Sequence, residues 1–223
     1  MPLIFRATKD YVSMPWRNGL GVTTELARED GAGAVGFLWR LSRADVACDG
    51  AFSNFPGVDR ILLLLSGAGL KLAFSGREMT LDKPYDTASF AGDEPVDCIL
   101  ADGACKDFNI MVDRARAKAA VTIFAAAAVE RDEVSLTTLY PCGGEQVHGS
   151  VQSAPDSASS HVALGRAADR TLLHVFEGEW GLDFAGTRTV MPEDSLVLLE
   201  GERGQDYAVS GCGVLLRVNI EIF

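Results

Sequence analysis

The chain echoes itself. Leu63–Gly76 reads LLLSGAGLKLAFSG and Leu173–Gly186 reads LHVFEGEWGLDFAG. Gly67 matches Gly178 and Gly76 matches Gly186. Pro84, Asp86 and Gly92 then match Pro192, Asp194 and Gly201 at nearly constant spacing. Both copies are short β-rich runs punctuated by glycine and proline, so the echo predicts a duplicated β unit. The two copies differ in which polar residues they carry, and that difference points to where a site would lie.

In the first copy, Arg60–Leu65 and Gly69–Phe74 are separated by Ser-Gly-Ala-Gly, a spacing that predicts a hairpin. Runs at Met79–Leu81, Ala88–Phe90 and Val96–Leu100 follow, each after a Gly or Pro turn. The second copy offers Leu172–Phe176, Gly181–Phe184, Thr189–Val190, Ser195–Leu199, Tyr207–Val209 and Val214–Ile220. Propensity favours helix in the alanine-rich stretch Ala115–Ala128. The β-branched residues of Val121–Phe124 favour a linking strand instead. Ser150–Ser160 is small and polar and reads as an exposed loop. The expected fold is all-β: a double-stranded β-helix (cupin or jelly roll) in each half, with a mouth able to hold a small ligand. Residues 1–114 form the half carrying the candidate pocket. Residues 115–223 form the second half, read as a scaffold or as the surface of a homodimer.

Composition excludes several classes. Thirty-one acidic residues against 20 basic ones give a net charge of −11. A nucleic acid is therefore not an expected partner. The longest apolar runs, Ile61–Leu65 and Ala125–Val129, are too short to cross a bilayer, and the N-terminus has no secretory h-region. A cytoplasmic location away from the membrane is expected. Cys48, Cys98, Cys105, Cys142 and Cys212 are irregularly spaced without a C-x-x-C, which predicts free thiols. His148, His161 and His174 include no H-x-H pair that would put two imidazoles on one strand face. No metal and no other cofactor is expected. No nucleophile elbow or phosphate loop is present either.

What remains is a set of polar residues in apolar or turn contexts, all in the first half. Trp16–Leu26 brings Asn18, Thr23 and Glu25 together with an indole, and Gly19 and Gly21 permit close backbone approach. Arg40 sits inside the apolar strand Phe37–Leu41, and Arg60 opens the long apolar run after Phe55-Pro56-Gly57. Asp107–Met111 alternates, with Phe108 and Ile110 on one face and Asn109 and Met111 on the other. A strand arginine needs a partner, and a guanidinium grips a planar carboxylate with two parallel hydrogen bonds. Two readings stand. In one, Arg40 or Arg60 receives the carboxylate of a small acid against Trp16 or Phe108. In the other, Glu25 or Asp59 neutralises these arginines as structural ion pairs.

The stretches WRNGLGVTTEL (16–26), LWRLSRADVACDGAFSNFPGVDR (38–60), LLLLSGAGLKL (62–72) and DFNIMVDR (107–114) resemble the HutD/Ves family of bacterial proteins. The resemblance implies a bicupin without the metal ligands, associated with bacterial histidine utilisation. It also implies a ligand-binding modulator rather than an enzyme of the pathway's known steps. Urocanate, histidine or formylated glutamate derivatives are the ligands it suggests, all of them carboxylates. By motif, the positions of interest are Trp16, Asn18, Thr23, Glu25, Arg40, Phe55, Pro56, Asp59, Arg60, Phe108 and Asn109, of which Trp16, Asn18, Thr23, Glu25, Arg40, Arg60, Phe108 and Asn109 are the expected ligand-binding residues. The alternative is a metal-free isomerase, epimerase or hydrolase of a small organic acid, with Glu25 or His148 as base and Arg60 stabilising charge. A purely structural module with every arginine internally paired is the third reading.

Overall fold

The structure, a computed structural model, describes residues 3–16, 21–33, 35–126, 134–139, 146–147, 152–153, 162–200 and 204–223. In chain order its strands are β1 (Leu3–Arg6), β2 (Val12–Pro15), β3 (Gly21–Asp30), β4 (Phe37–Val46), β5 (Gly50–Ala51), β6 (Val58–Ser66) and β7 (Leu70–Phe74). Next come β8 (Arg77–Leu81), β9 (Thr87–Ala91), β10 (Asp97–Leu100), β11 (Cys105–Asp113), β12 (Ala117–Ala126), β13 (Val134–Leu139) and β14 (Gln146–Val147). The series ends with β15 (Gln152–Ser153), β16 (Val162–Arg166), β17 (Arg170–Phe184), β18 (Thr187–Pro192), β19 (Leu196–Glu200) and β20 (Asp206–Ile222). The fold is all-β, and no helix among the described residues is long and apolar enough to cross a membrane.

Two compact units emerge from the contacts. One holds β2 to β11 with β14; the other holds β1, most of β12, β13 and β15 to β20. The N-terminal strand thus joins the later unit, pairing Leu3 with Leu199. In return, β14 pairs with β9 of the earlier one.

The earlier unit is nested: β4 pairs with β11, β5 with β10, β6 with β9 and β7 with β8, all antiparallel. Pairs β6–β11 and β7–β10 complete two sheets, ordered β14-β9-β6-β11-β4-β3-β2 and β5-β10-β7-β8. This first-with-last pairing is the jelly roll. Because β6 and β7 belong to different sheets, the Ser-Gly-Ala-Gly link between them is a crossing and not the expected hairpin. Gly67 and Gly69 adopt φ of 107° and 115° there. The link packs so closely on Cys105 that a Cβ on Gly67 would lie 2.7 Å from the Cys105 Cβ.

In the later unit, two expected strand pairs are each one long strand. Leu172–Phe176 and Gly181–Phe184 merge in β17, and Tyr207–Val209 and Val214–Ile220 merge in β20. A register shift between Val175 and Glu177, with Gly178 (φ 78°) opposite Gly213 (φ 95°), bends both strands without breaking the ladder. The first part of β17 pairs with β19 and its second part with β18. Strand β12 forms despite its alanines, pairing with β13 through Val121, Thr122 and Ile123. Backbone bonds also adjust the expected match of Asp86 with Asp194 by one residue. Tyr85 N–H donates to Leu64 O, and Asp194 N–H donates to Val175 O, so Tyr85 is the counterpart of Asp194. Both adopt positive φ. The expected match of Gly92 with Gly201 lies outside the described residues, as do His148, His161 and most of the segment 150–160 expected to be a loop, of which Gln152–Ser153 is strand β15.

The core of the earlier unit lies between its sheets. Val46, Leu62 and Leu64 of the larger sheet meet Leu70, Leu72, Leu81 and Cys98 of the smaller. Cys48, Cys98, Cys105 and Cys212 are free thiols, and Cys142 lies outside the described residues. Gly67→Ala should destabilise by about 2–4 kcal/mol, through a left-handed backbone penalty plus overpacking. Gly76→Ala, with φ of 88° but open space around its Cβ, should lose only about 1–2 kcal/mol. Urea-unfolding midpoints falling in the order wild type, Gly76→Ala, Gly67→Ala are the check.

Candidate functional site

Strand alternation turns one end of the jelly roll polar. Arg40, Met111 and Arg60 form a row across β4, β11 and β6. Ser42, Asn109 and Leu62 form the next row, and Ala44, Asp107 and Leu64 the third. Neighbouring strands lie about 4.8 Å apart, so the two arginines stand about 10 Å apart at their Cα atoms on either side of Met111. All of these except Leu62 and Leu64 line a cavity of ≈ 570 Å³, closed by Trp16, Thr23, Phe52, Ser53 and Phe55, with Cys48 and Cys98 on its wall.

Arg60 is 5% exposed. Its Nη2 donates to Asn109 Oδ1 at 2.7 Å and its Nη1 to Ser53 O at 3.3 Å. Its Nε has no hydrogen-bond partner. The rings of Phe90, Phe52 and Phe55 lie 5.0, 5.2 and 5.7 Å from its guanidinium carbon, within cation–π range. Burial, against the pull of Asp107 and with a smaller push from Arg40, lowers the Arg60 pKa to about 10. The group remains cationic at neutral pH.

Asn109 relays this charge inward, its Nδ2 donating to Asp107 Oδ1 at 2.7 Å. Asp107 is wholly buried, and its Oδ2 has no partner. Burial raises its pKa to about 7, against the pull of Arg60 and Asn109 and with a small push from Asp45. Burial also pushes the Cys98 and Cys105 thiols up to about 12 and 11, so both are neutral.

Around this centre the second row of groups is satisfied. Arg40 Nε donates to Glu25 Oε2 at 2.7 Å, with both side chains largely buried. Trp16 Nε1 donates to Thr23 Oγ1 at 2.8 Å. Gly21 makes room for that indole, since a Cβ there would lie 2.8 Å from Trp16 Cε3.

Of the residues singled out in the sequence, Trp16, Thr23, Arg40, Arg60 and Asn109 line this one cavity. Glu25 stands behind Arg40 and not on the cavity wall. Phe108 is fully buried on the opposite face of β11 from Asn109, as the period of a strand requires. Asn18 lies outside the described residues. Asp59 neutralises Arg114 at 2.5 Å and not Arg60. Asp107 was missed, although the alternation that selects Asn109 and Met111 selects it too. Phe52 and Ser53 carried no sequence signal, because their positions follow from the jelly-roll crossing. His174 lies in β17, and the described residues include no group of three or more His, Cys, Asp or Glu able to hold a metal ion.

The model of the HutD family matches residues 8–153. An uncharacterized 21.2 kDa protein in the hutC 3′ region of Pseudomonas putida is 41% identical over 116 residues, 52% of this chain and 61% of that one. Protein Ves of Citrobacter koseri is 39% identical over 109 residues, 48% of this chain and 56% of that one. The chain thus spans about three-fifths of the length of the curated relatives it matches. HutD of Pseudomonas fluorescens SBW25, solved in a formate condition, superposes with a TM-score of 0.74 at 25% identity over 100% of both chains. With most of its length, including every residue of the cavity, inside the matched span, the chain belongs to the HutD family.

Proposed function

We propose that the cavity binds a small organic carboxylate and that the protein acts as a cytoplasmic, metal-free bicupin modulating histidine utilisation. The carrying observation is the Arg60 guanidinium: buried, cationic, and holding one N–H without a partner in a cavity shared with Arg40. A desolvated guanidinium binds a carboxylate more strongly than an exposed one, because water competes less. Phe52 and Phe55, two of the rings against Arg60, also give an organic anion an apolar wall, which a bare inorganic ion cannot use. Arg40 adds a second positive charge while Glu25 fixes its direction. Urocanate, histidine and formylated glutamate are the candidates to screen. The repeat and the recurring pairing of long strands support the duplicated reading of the fold.

A second reading rests on Asp107. A carboxyl titrating near neutral pH, with one free oxygen beside a cation, suits general acid–base chemistry. A metal-free isomerase, epimerase or hydrolase would use it in place of Glu25. Mass spectrometry after incubation with these acids separates the readings: turnover favours the enzyme, and a thermal shift without turnover favours the binder.

Arg60→Ala should weaken carboxylate binding by about 2–5 kcal/mol, since it removes a desolvated charge partner. Calorimetry showing unchanged affinity in a folded variant overturns the role.

The raised Asp107 pKa also fixes a pH dependence. The folded protein holds this proton more tightly than the unfolded chain does, so stability falls as pH rises from the ordinary carboxylate range near 4 to about 7 and then levels. The charged groups around it are Arg60, Asp45, Asp49 on the cavity wall and, further along the same sheet face, Arg40; the Cys98 and Cys105 thiols stay neutral. Asp107→Asn removes the effect. Its melting temperature relative to wild type should therefore rise between pH 5 and pH 8, as differential scanning calorimetry would show.

A further inference from the structure

Two buried polar atoms in the cavity wall lack partners, and they are of opposite kind. Arg60 Nε is a donor, and Asp107 Oδ2 is an acceptor in the ionised carboxyl. They stand at the two ends of one relay, separated by the Asn109 amide and its two 2.7 Å hydrogen bonds. Both residues line the same cavity, Arg60 5% exposed and Asp107 fully buried. A simple carboxylate satisfies the first atom and leaves the second unpaired. It would also place a second negative charge near Asp107. A buried acceptor without a donor is unfavourable, so a ligand that supplies one gains what a plain acid forgoes.

We propose that the ligand is bifunctional: a planar acid whose carboxylate lies on Arg60 and whose second group, a hydrogen-bond donor such as N–H, is directed at Asp107 Oδ2. This rests on the anion-binding reading and narrows it to one ligand class. The planarity comes from the walls, where Trp16, Phe52 and Phe55 leave flat apolar surfaces on the cavity. Asn109 sets the polarity of the site. Its Oδ1 faces Arg60 and its Nδ2 faces Asp107 Oδ1, so Arg60 Nε stays a donor, and Asp107 Oδ2 is an acceptor once the carboxyl ionises above about pH 7.

The test uses two rigid acids of one shape, indole-5-carboxylate and benzofuran-5-carboxylate, which differ by N–H against O. Calorimetry on the full chain at about pH 8.5, where Asp107 is ionised, should show the indole acid binding at least about tenfold more tightly, because a site built to accept a hydrogen discriminates against the analogue without one. In Asp107→Asn, the bond from Asn109 holds the new side chain's oxygen inward, so its NH2 takes the place of Oδ2. The preference should then fall below about threefold or invert. Equal affinities in the wild type overturn this inference and leave the carboxylate reading standing. No binding of either acid to the wild type overturns both. Circular dichroism confirms that the variant is folded, and the wild-type comparison decides the matter without it.

Discussion

The site depends on burying one guanidinium. A cation removed from water requires compensation, and a direct carboxylate partner would supply it at the expense of the field it offers a ligand. Here compensation is distributed. Three phenyl rings face Arg60, a backbone carbonyl and an amide oxygen accept from it, and the nearest carboxylate sits one amide further away. The charge persists, and one N–H is left without a partner. The same spacing explains the behaviour of Asp107. Arg60 helps it ionise, but too weakly to offset full burial, so its pKa is pushed up to about 7.

The jelly roll makes such a site from simple means. On β4, β6 and β11, residues two apart share a face, and the face between the sheets changes character along its length. Leu62 and Leu64 on β6, and Ala44 and Val46 on β4, belong to the apolar core. Arg60 and Arg40, at the far end of those strands, do not. The apolar rows hold the sheets together and exclude water from below, while the polar rows inherit their rigidity. Fixed strands place Arg60 and Asn109 within hydrogen-bonding reach although they lie far apart in sequence.

Much of this is legible in the sequence, because alternation and turn chemistry are local. Arg40 and Arg60 stand out as cations inside apolar runs, and Asn109 follows from parity. Phe108 fails on that same parity, since an aromatic residue adjacent to Asn109 must face away from it. What was not legible is mostly non-local. Ser66–Gly69 has the composition of a hairpin, and nothing within four residues tells whether the chain returns to its own sheet or crosses to the other. The bends at Gly178 and Gly213 read as strand ends, since glycine punctuates turns and bulges alike. Asp107 was readable from the same alternation as Asn109 and Met111, but its full burial was not.

The two units show that the charged relay is not a requirement of the fold. The shared backbone bonds equate Leu64 with Val175, and stepping back along each strand equates Arg60 with Thr171. The ladders then equate Asp107 with Leu215 and Asn109 with Arg217. The later unit therefore keeps the pairing and drops the relay. Thr171 donates to Asn219 at 3.0 Å, Leu215 is wholly apolar, and Arg217 donates to Thr122 at 2.8 Å. A ladder that closes around threonine and leucine has no structural need of arginine and aspartate at those places. Retaining a buried cation with an unpaired N–H, beside a buried acid with an unpaired oxygen, is unfavourable for the empty protein. A ligand that satisfies both atoms supplies the compensation that the fold alone does not.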